Sequence, residues 1–144
     1  MSKRQRQRKD ILEDLESAGK PLEVILLAWG IIEMHSTSAL LRVYGLSTQN
    51  PKSKWVIDLL LSTKLRLLNL MELLPDREFS VLQQFKKKRD GLAHWDGLFF
   101  PNYTEAQKSE LTDMAIAAAD VAHDLAERSL RLPSPSKRYH FQPT

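Results

Sequence analysis

Apolar residues recur along this chain at intervals of three and four, and nowhere in the sustained alternation of a half-buried strand, so every element that the pattern predicts is a helix. The longest is bounded by Pro21, which suits a first helical turn, and by Gly45, placed as a C-terminal cap after Tyr44. Along it Leu22, Ile25, Leu26, Trp29 and Ile32 form one stripe and Val24, Leu27, Ile31 and Met34 a second. A helix apolar nearly all round is expected to lie between others. A shorter amphipathic helix precedes it, from about Asp10 to Ser17 with Ile11, Leu12 and Leu15 inward, and Gly19 ends it.

After a loop at Leu46 to Gln49, Asn50-Pro51 reads as the N-cap and first position of a third helix. It carries Trp55, Leu59 and Leu60 on to Leu67, Leu68 and Met71, with Ser62-Thr63 as the candidate break, and Pro75 stops it. Asp76 can cap the next helix, whose Phe79, Leu82 and Phe85 repeat at three-residue spacing. The short Leu74-Pro75-Asp76 link makes these two helices antiparallel neighbours. Pro101 keeps Leu98 to Tyr103 out of a helix, and the rings there are expected to plug the end of a bundle rather than to stack on bases. Thr104 and Gln107 have capping-box spacing, and the final helix follows with a narrow seam of Leu111, Met114, Ala118, Val121 and Leu125. From Leu132 onward periodicity is lost. The expectation is one all-α domain over residues 10–131, an up-and-down bundle of four to five helices, with a mobile basic arm at 1–9 and a flexible tail at 132–144.

Composition narrows the function classes. A chain of 144 residues can bury a core without staples. Having no cysteine, it has no disulfide, thiol nucleophile or thiolate metal site, which favours an intracellular setting. The apolar run Leu22 to Ile32 falls short of the ~20 residues that cross a bilayer, and the basic N-terminus has no apolar stretch of secretory length behind it. A cytoplasmic protein without membrane contact is expected. Its four histidines are scattered without metal-ligand spacing, and no glycine-rich phosphate loop is present, so neither metal nor cofactor is expected. Glu33 is expected as a rim residue paired with a Lys or Arg, His35 as a partly buried, hydrogen-bonded histidine, and Asp120, His123 and Asp124 as ordinary surface positions. The net charge of +3 is unevenly spread: five of the first nine residues are Lys or Arg, and Lys86 to Arg89 supply four more cations. Clustered positive charge suits a phosphate-bearing partner.

The second of those clusters opens the stretch Lys86-Lys87-Lys88-Arg89-Asp90-Gly91-Leu92-Ala93-His94-Trp95-Asp96-Gly97. On a regular helix, groups five residues apart point roughly 140° apart and sit about 7.5 Å apart along the axis. Arg89 and His94 are thus placed to flank a ligand, or to meet counterparts from a second subunit, rather than to bond each other. Gly91 between them weakens a helix by roughly 1 kcal/mol relative to Ala and invites a local opening. Cutting RNA without a metal requires a group that moves the 2′-hydroxyl proton and one that steadies charge on the attacked phosphate. Imidazole, with a pKa near 6.5, suits the first task, and the planar guanidinium suits the second. Asp90 can orient either one, and Lys86, Lys87 and Lys88 can hold neighbouring phosphates.

At Arg89-Asp90, Leu92-Ala93 and His94, with the lead-in from Lys64 to Pro75, the chain resembles the HEPN family, small all-α domains marked by an Arg-polar-x-x-x-His signature at the end of a helix. The resemblance covers about residues 20 to 131. It implies a homodimeric, metal-independent endoribonuclease in which Arg89 stabilises the scissile phosphate and His94 is general acid or base, with a cyclic phosphate as product. A toxin or defence role opposite an antitoxin partner falls within the same implication. Some relatives carry a Tyr two residues beyond the His as a target of modification; here that place is Asp96, and that mode of neutralisation is not expected. Two bland alternatives stand beside the enzyme. One is a catalytically silent module of the same fold that binds RNA or a partner protein. The other is a purely structural pair, with Arg89 on an acid such as Glu33 and His94 on a backbone carbonyl.

Overall fold

In the computed structural model, which describes residues 3–93 and 100–133, six α-helices and one 3-10 turn carry the chain, with no strand among these residues. The helices are α1 (Lys3–Ser17), α2 (Pro21–Tyr44), α3 (Ser53–Ile57), α4 (Leu61–Leu70), α5 (Asp76–Ala93) and α6 (Glu105–Leu130). The expected all-α bundle is what forms. Its centre is α2 against α6, the most extensive interface between any two elements described. Ala28 and Ala39 from α2, and Ala115, Ala118 and Ala122 from α6, have no exposed surface at all, so the two backbones approach closely. Val24, Leu40 and Leu125 are likewise sealed around them.

Local chemistry sets the ends of these two helices as the sequence indicates. Gly45 adopts φ 65° and ψ 30°, and its N–H donates to the Arg42 carbonyl. The N–H of Leu46 reaches the Leu41 carbonyl at 2.8 Å, completing the left-handed cap. At the start of α6 the Gln107 N–H donates to Thr104 Oγ1 at 3.1 Å, and the Thr104 N–H to Gln107 Oε1 at 2.8 Å. Phe100 is buried with Tyr103 beside it, ring centroids 5.4 Å apart, so this half of the aromatic segment plugs the bundle as expected. Leu98 and Phe99 lie outside the described residues.

Other boundaries differ, each for a tertiary reason. The first helix starts at Lys3 rather than near Asp10, because the arm packs: Gln5 is buried, and Lys9 stands 3.9 Å from Asp120 on α6. Ile11, expected inward, is exposed. The third helix breaks at Asp58 to Leu60 instead of Ser62-Thr63. That turn frees the Ile57 carbonyl to accept from buried Lys64 at 3.0 Å, while Thr37 Oγ1 accepts at 2.8 Å and Glu33 sits 3.8 Å away. A buried ammonium requires such partners. Asn50 makes a turn, accepting from the Lys52 N–H at 2.9 Å, and α3 begins only at Ser53. Asp76 is the first residue of α5 and accepts from the Asn69 side chain at 2.8 Å instead of capping.

Two further findings concern α2. The whole of Pro21–Val43, with mean hydropathy 1.6, is long and apolar enough to cross a bilayer by length and composition, where the shorter run Leu22 to Ile32 is not. A core helix has the same composition, and 56% of this window is buried inside the bundle. Yet α2 is not covered all round: Leu22, Leu26, Gly30 and Met34 are exposed along one ridge.

The α4–α5 turn fixes the direction of α5. Glu72 takes φ 61° there, and the N–H groups of Leu73 and Leu74 both donate to the Leu68 carbonyl at 3.1 Å. Arg128 from α6 holds the same corner, donating to the Leu73 carbonyl and to both carboxylate oxygens of Glu78, 2.7 Å to Oε2. Since a left-handed conformation costs a non-glycine residue roughly 1 kcal/mol or more, Glu72→Gly is expected to raise the urea midpoint by the equivalent of about 1 kcal/mol. Conversely, Ala118→Leu should lower stability by about 1–3 kcal/mol through overpacking, while exposed Ala117→Leu changes it by less than about 0.5 kcal/mol. Paired urea melts of the two variants check the seam.

Candidate nucleic-acid interface

Leu82 and Phe85, each 1% exposed, set the rotation of α5 on the bundle. Four residues beyond Phe85, Arg89 therefore emerges over α2, while Lys88 and Leu92 turn toward α6 and border a cavity of about 140 Å³ with Tyr103, Gln107, Glu110 and Met114. Gly91 does not open the helix, which continues through Ala93. His94 to Phe99, and with them the candidate residue His94, lie outside the described residues.

The Arg89 guanidinium carbon lies 4.0 Å from the centroid of the Trp29 ring. A cation over an indole face is attracted by the ring quadrupole, which restrains the guanidinium without using up its N–H donors. The side chain keeps 31% of its surface, and among the described residues the carboxylate oxygen it pairs with, Asp90 Oδ1, is 3.6 Å away. The expected alternative, Arg89 on Glu33, does not form; Glu33 faces Lys64. Asp90 instead accepts a 2.6 Å hydrogen bond from Lys86, one turn back. Four cations, Lys86 to Arg89, less one carboxylate leave a local excess of three positive charges, and Lys87 and Lys88 are exposed. Of the candidate site residues, Arg89, Asp90 and Lys86 are thus in mutual reach; Lys87 and Lys88 extend the charge away from them.

Two histidines depart from expectation. His123, read as a surface position, is 4% exposed, and its ring lies edge-on to His35 at 5.3 Å. Asp120 and Asp124 beside it do remain at the surface. His35 is buried, but its Nε2, like both ring nitrogens of His123, has no hydrogen-bond partner among the described residues. Burial first, then the neighbouring His123, Arg8 and Arg42, lowers the His35 pKa to about 4. His123 is lowered as well, by burial and then by Arg8. Periodicity contained the signal: His35 follows Ile31 and precedes Ala39 by one turn each, and His123 follows Ala119. Among the described residues no three potential metal ligands cluster.

No family model matches the chain, and neither a curated protein nor a solved structure matches it.

The stack is the feature of this site that sequence reading did not find, and it is measurable. In a double-mutant cycle of Trp29→Leu and Arg89→Met, the coupling energy from urea melts is expected at about 0.5–1 kcal/mol, the range for a partly exposed cation–π pair. A coupling near zero would mean the two side chains do not interact.

Proposed function

We propose that the chain is a metal-independent endoribonuclease of the HEPN kind, acting on RNA at the C-terminal end of α5. The observation that carries the reading is the Arg89 guanidinium, stacked on Trp29, part-exposed and loosely paired, in a local excess of positive charge. A guanidinium held over an indole, partly exposed and only loosely paired, can still receive a phosphate. His94, five residues on, moves the proton: it accepts from the 2′-hydroxyl, or donates to the departing 5′-oxygen, while Arg89 offsets the charge on the phosphorus oxygens. The products are a 2′,3′-cyclic phosphate and a 5′-hydroxyl. Lys87 and Lys88 bind neighbouring phosphates, and Asp90, held by Lys86, positions Arg89.

The reading includes a homodimer whose two signatures share one cleft. The ridge Leu22, Leu26 and Gly30 supports it, because it is exposed on the helix that carries Trp29, and a Cβ at Gly30 would meet nothing within 4 Å among the described residues. An exposed helix-interior glycine has no packing reason within one copy, but permits close approach of another. A cytoplasmic toxin or defence component restrained by a partner protein is the setting this activity fits.

The test is cleavage of end-labelled RNA in EDTA by chromatographically clean protein. His94→Ala and Arg89→Ala are each expected to lower the rate by about 100-fold or more with folding unchanged by circular dichroism. Leu26→Glu should shift sedimentation toward monomer and lower cleavage with it. If the parent binds RNA but leaves it intact, the silent binding module replaces the enzyme; if His94→Ala cuts as fast as the parent, the assigned chemistry is wrong.

A further inference from the structure

Where α1 crosses α2 and α6, three helices bury polar groups whose hydrogen-bonding capacity the fold leaves unused. His35 and Ser36 come from α2, His123 from α6 and Arg8 from α1. His35 Nε2, Ser36 Oγ, both His123 ring nitrogens and Arg8 Nε are all buried without a hydrogen-bond partner among the described residues. Such groups are ordinarily satisfied, and four of these atoms, on His35, His123 and Arg8, meet at one joint. Here the two imidazoles lie 5.3 Å apart beneath a guanidinium that is always charged.

We propose that α1 is an acid-released strap: protonation of the His35–His123 pair drives α1 out of the groove between α2 and α6 while the remaining bundle stays folded. The inference is independent of the nuclease reading. A proton on either ring adds a cation beside Arg8, and a proton on both adds two cations at contact distance. The other charges around the pair do not cancel this. From α1, Lys9 faces His123, and from α2, Arg42 faces His35, both positive. The acids are all on α6 around His123: Asp120, which Lys9 already engages at 3.9 Å, exposed Asp124, and Glu127 one turn on. Among the described residues, the charged groups acting on His35 are His123, Arg8 and Arg42, none of them a carboxylate.

The joint that gives way is thinly packed. Leu12 is the one apolar residue of α1 that is fully buried, whereas α2 and α6 share a continuous apolar core. Elements with little buried apolar surface open before the rest. The sign of the pH dependence follows from linkage. A released His35 takes up its proton near the ordinary 6.5 and a docked one only near 4, so in that interval the released state binds more protons and docking weakens as pH falls.

Because the chain has no cysteine, spin labels can be placed uniquely at Glu13→Cys on α1 with Ala117→Cys on α6, and, as a reference pair, at Ser38→Cys on α2 with Ala117→Cys. Pulsed dipolar spectroscopy is expected to show one narrow α1–α6 distance at pH 7.5 that lengthens and broadens with a midpoint between 6.5 and about 4, while the α2–α6 distance holds. In His35→Leu/His123→Leu the strap should stay docked throughout. Should that variant not fold, Arg8→Gln removes the fixed charge facing both rings and should move the midpoint to lower pH. An α1–α6 distance that ignores pH, or an α2–α6 distance lost at the same midpoint, overturns the proposal. So does a folded double variant that releases α1 as the parent does.

Discussion

Close approach of α2 and α6 is the constraint on which the other helices depend. It is possible because alanines meet where larger side chains would hold the backbones apart, and it takes out of water the inward face of the longest apolar helix among the described residues. The remaining elements are arranged around that pair. The α4–α5 corner is held to α6 by Arg128, and Arg42 of α2 donates to Ser129 of α6 at 2.7 Å, so the far ends of the two long helices are bound by polar contacts as well as by packing. Buried polar contacts of this kind add direction to an interface whose energy is chiefly apolar.

The basic end of α5 inherits its position from this frame. Phe85 sits in the core, Arg89 comes out one turn later above Trp29, and Trp29 is carried by the same helix that forms the seam. A flexible cation has thereby been given a fixed plane. That arrangement separates Arg89 from the lysines beside it, which have charge but no such orientation.

Helix ends that are decided by chemistry within a few residues were legible in the sequence. Pro21 and Gly45 bound α2, and Thr104 with Gln107 opens α6, because the groups that satisfy the backbone there are neighbours in the chain. What was not legible depends on partners distant in sequence. Gln5 and Arg8 read as a solvated arm until α2 and α6 are seen beneath them; the kink before α4 is set by Lys64 seeking oxygens from Thr37 and Ile57. His123 was hidden by its acidic neighbours Asp120 and Asp124, although its spacing from Ala119 placed it on the inward face. Arg89 was singled out for its charge, and Glu33 was offered as its acid; in the fold it lies over the Trp29 indole with the adjacent Asp90 at 3.6 Å, a partnership that charge pairing does not suggest.

The clamp of Arg128 on Glu78 also has a mechanical side. It grips α5 in its first turn, and Arg89 lies eleven residues further on, roughly 16 Å along the axis. The helix is therefore a boom pivoted at the α6 corner with its tip resting on Trp29. A tilt of about 5° at the pivot sweeps the tip by about 1.4 Å, which is the scale on which reacting groups fall into or out of alignment. A substitution at the pivot can thus move the basic tip from a distance, to the extent that the Leu82 and Phe85 anchors between them yield.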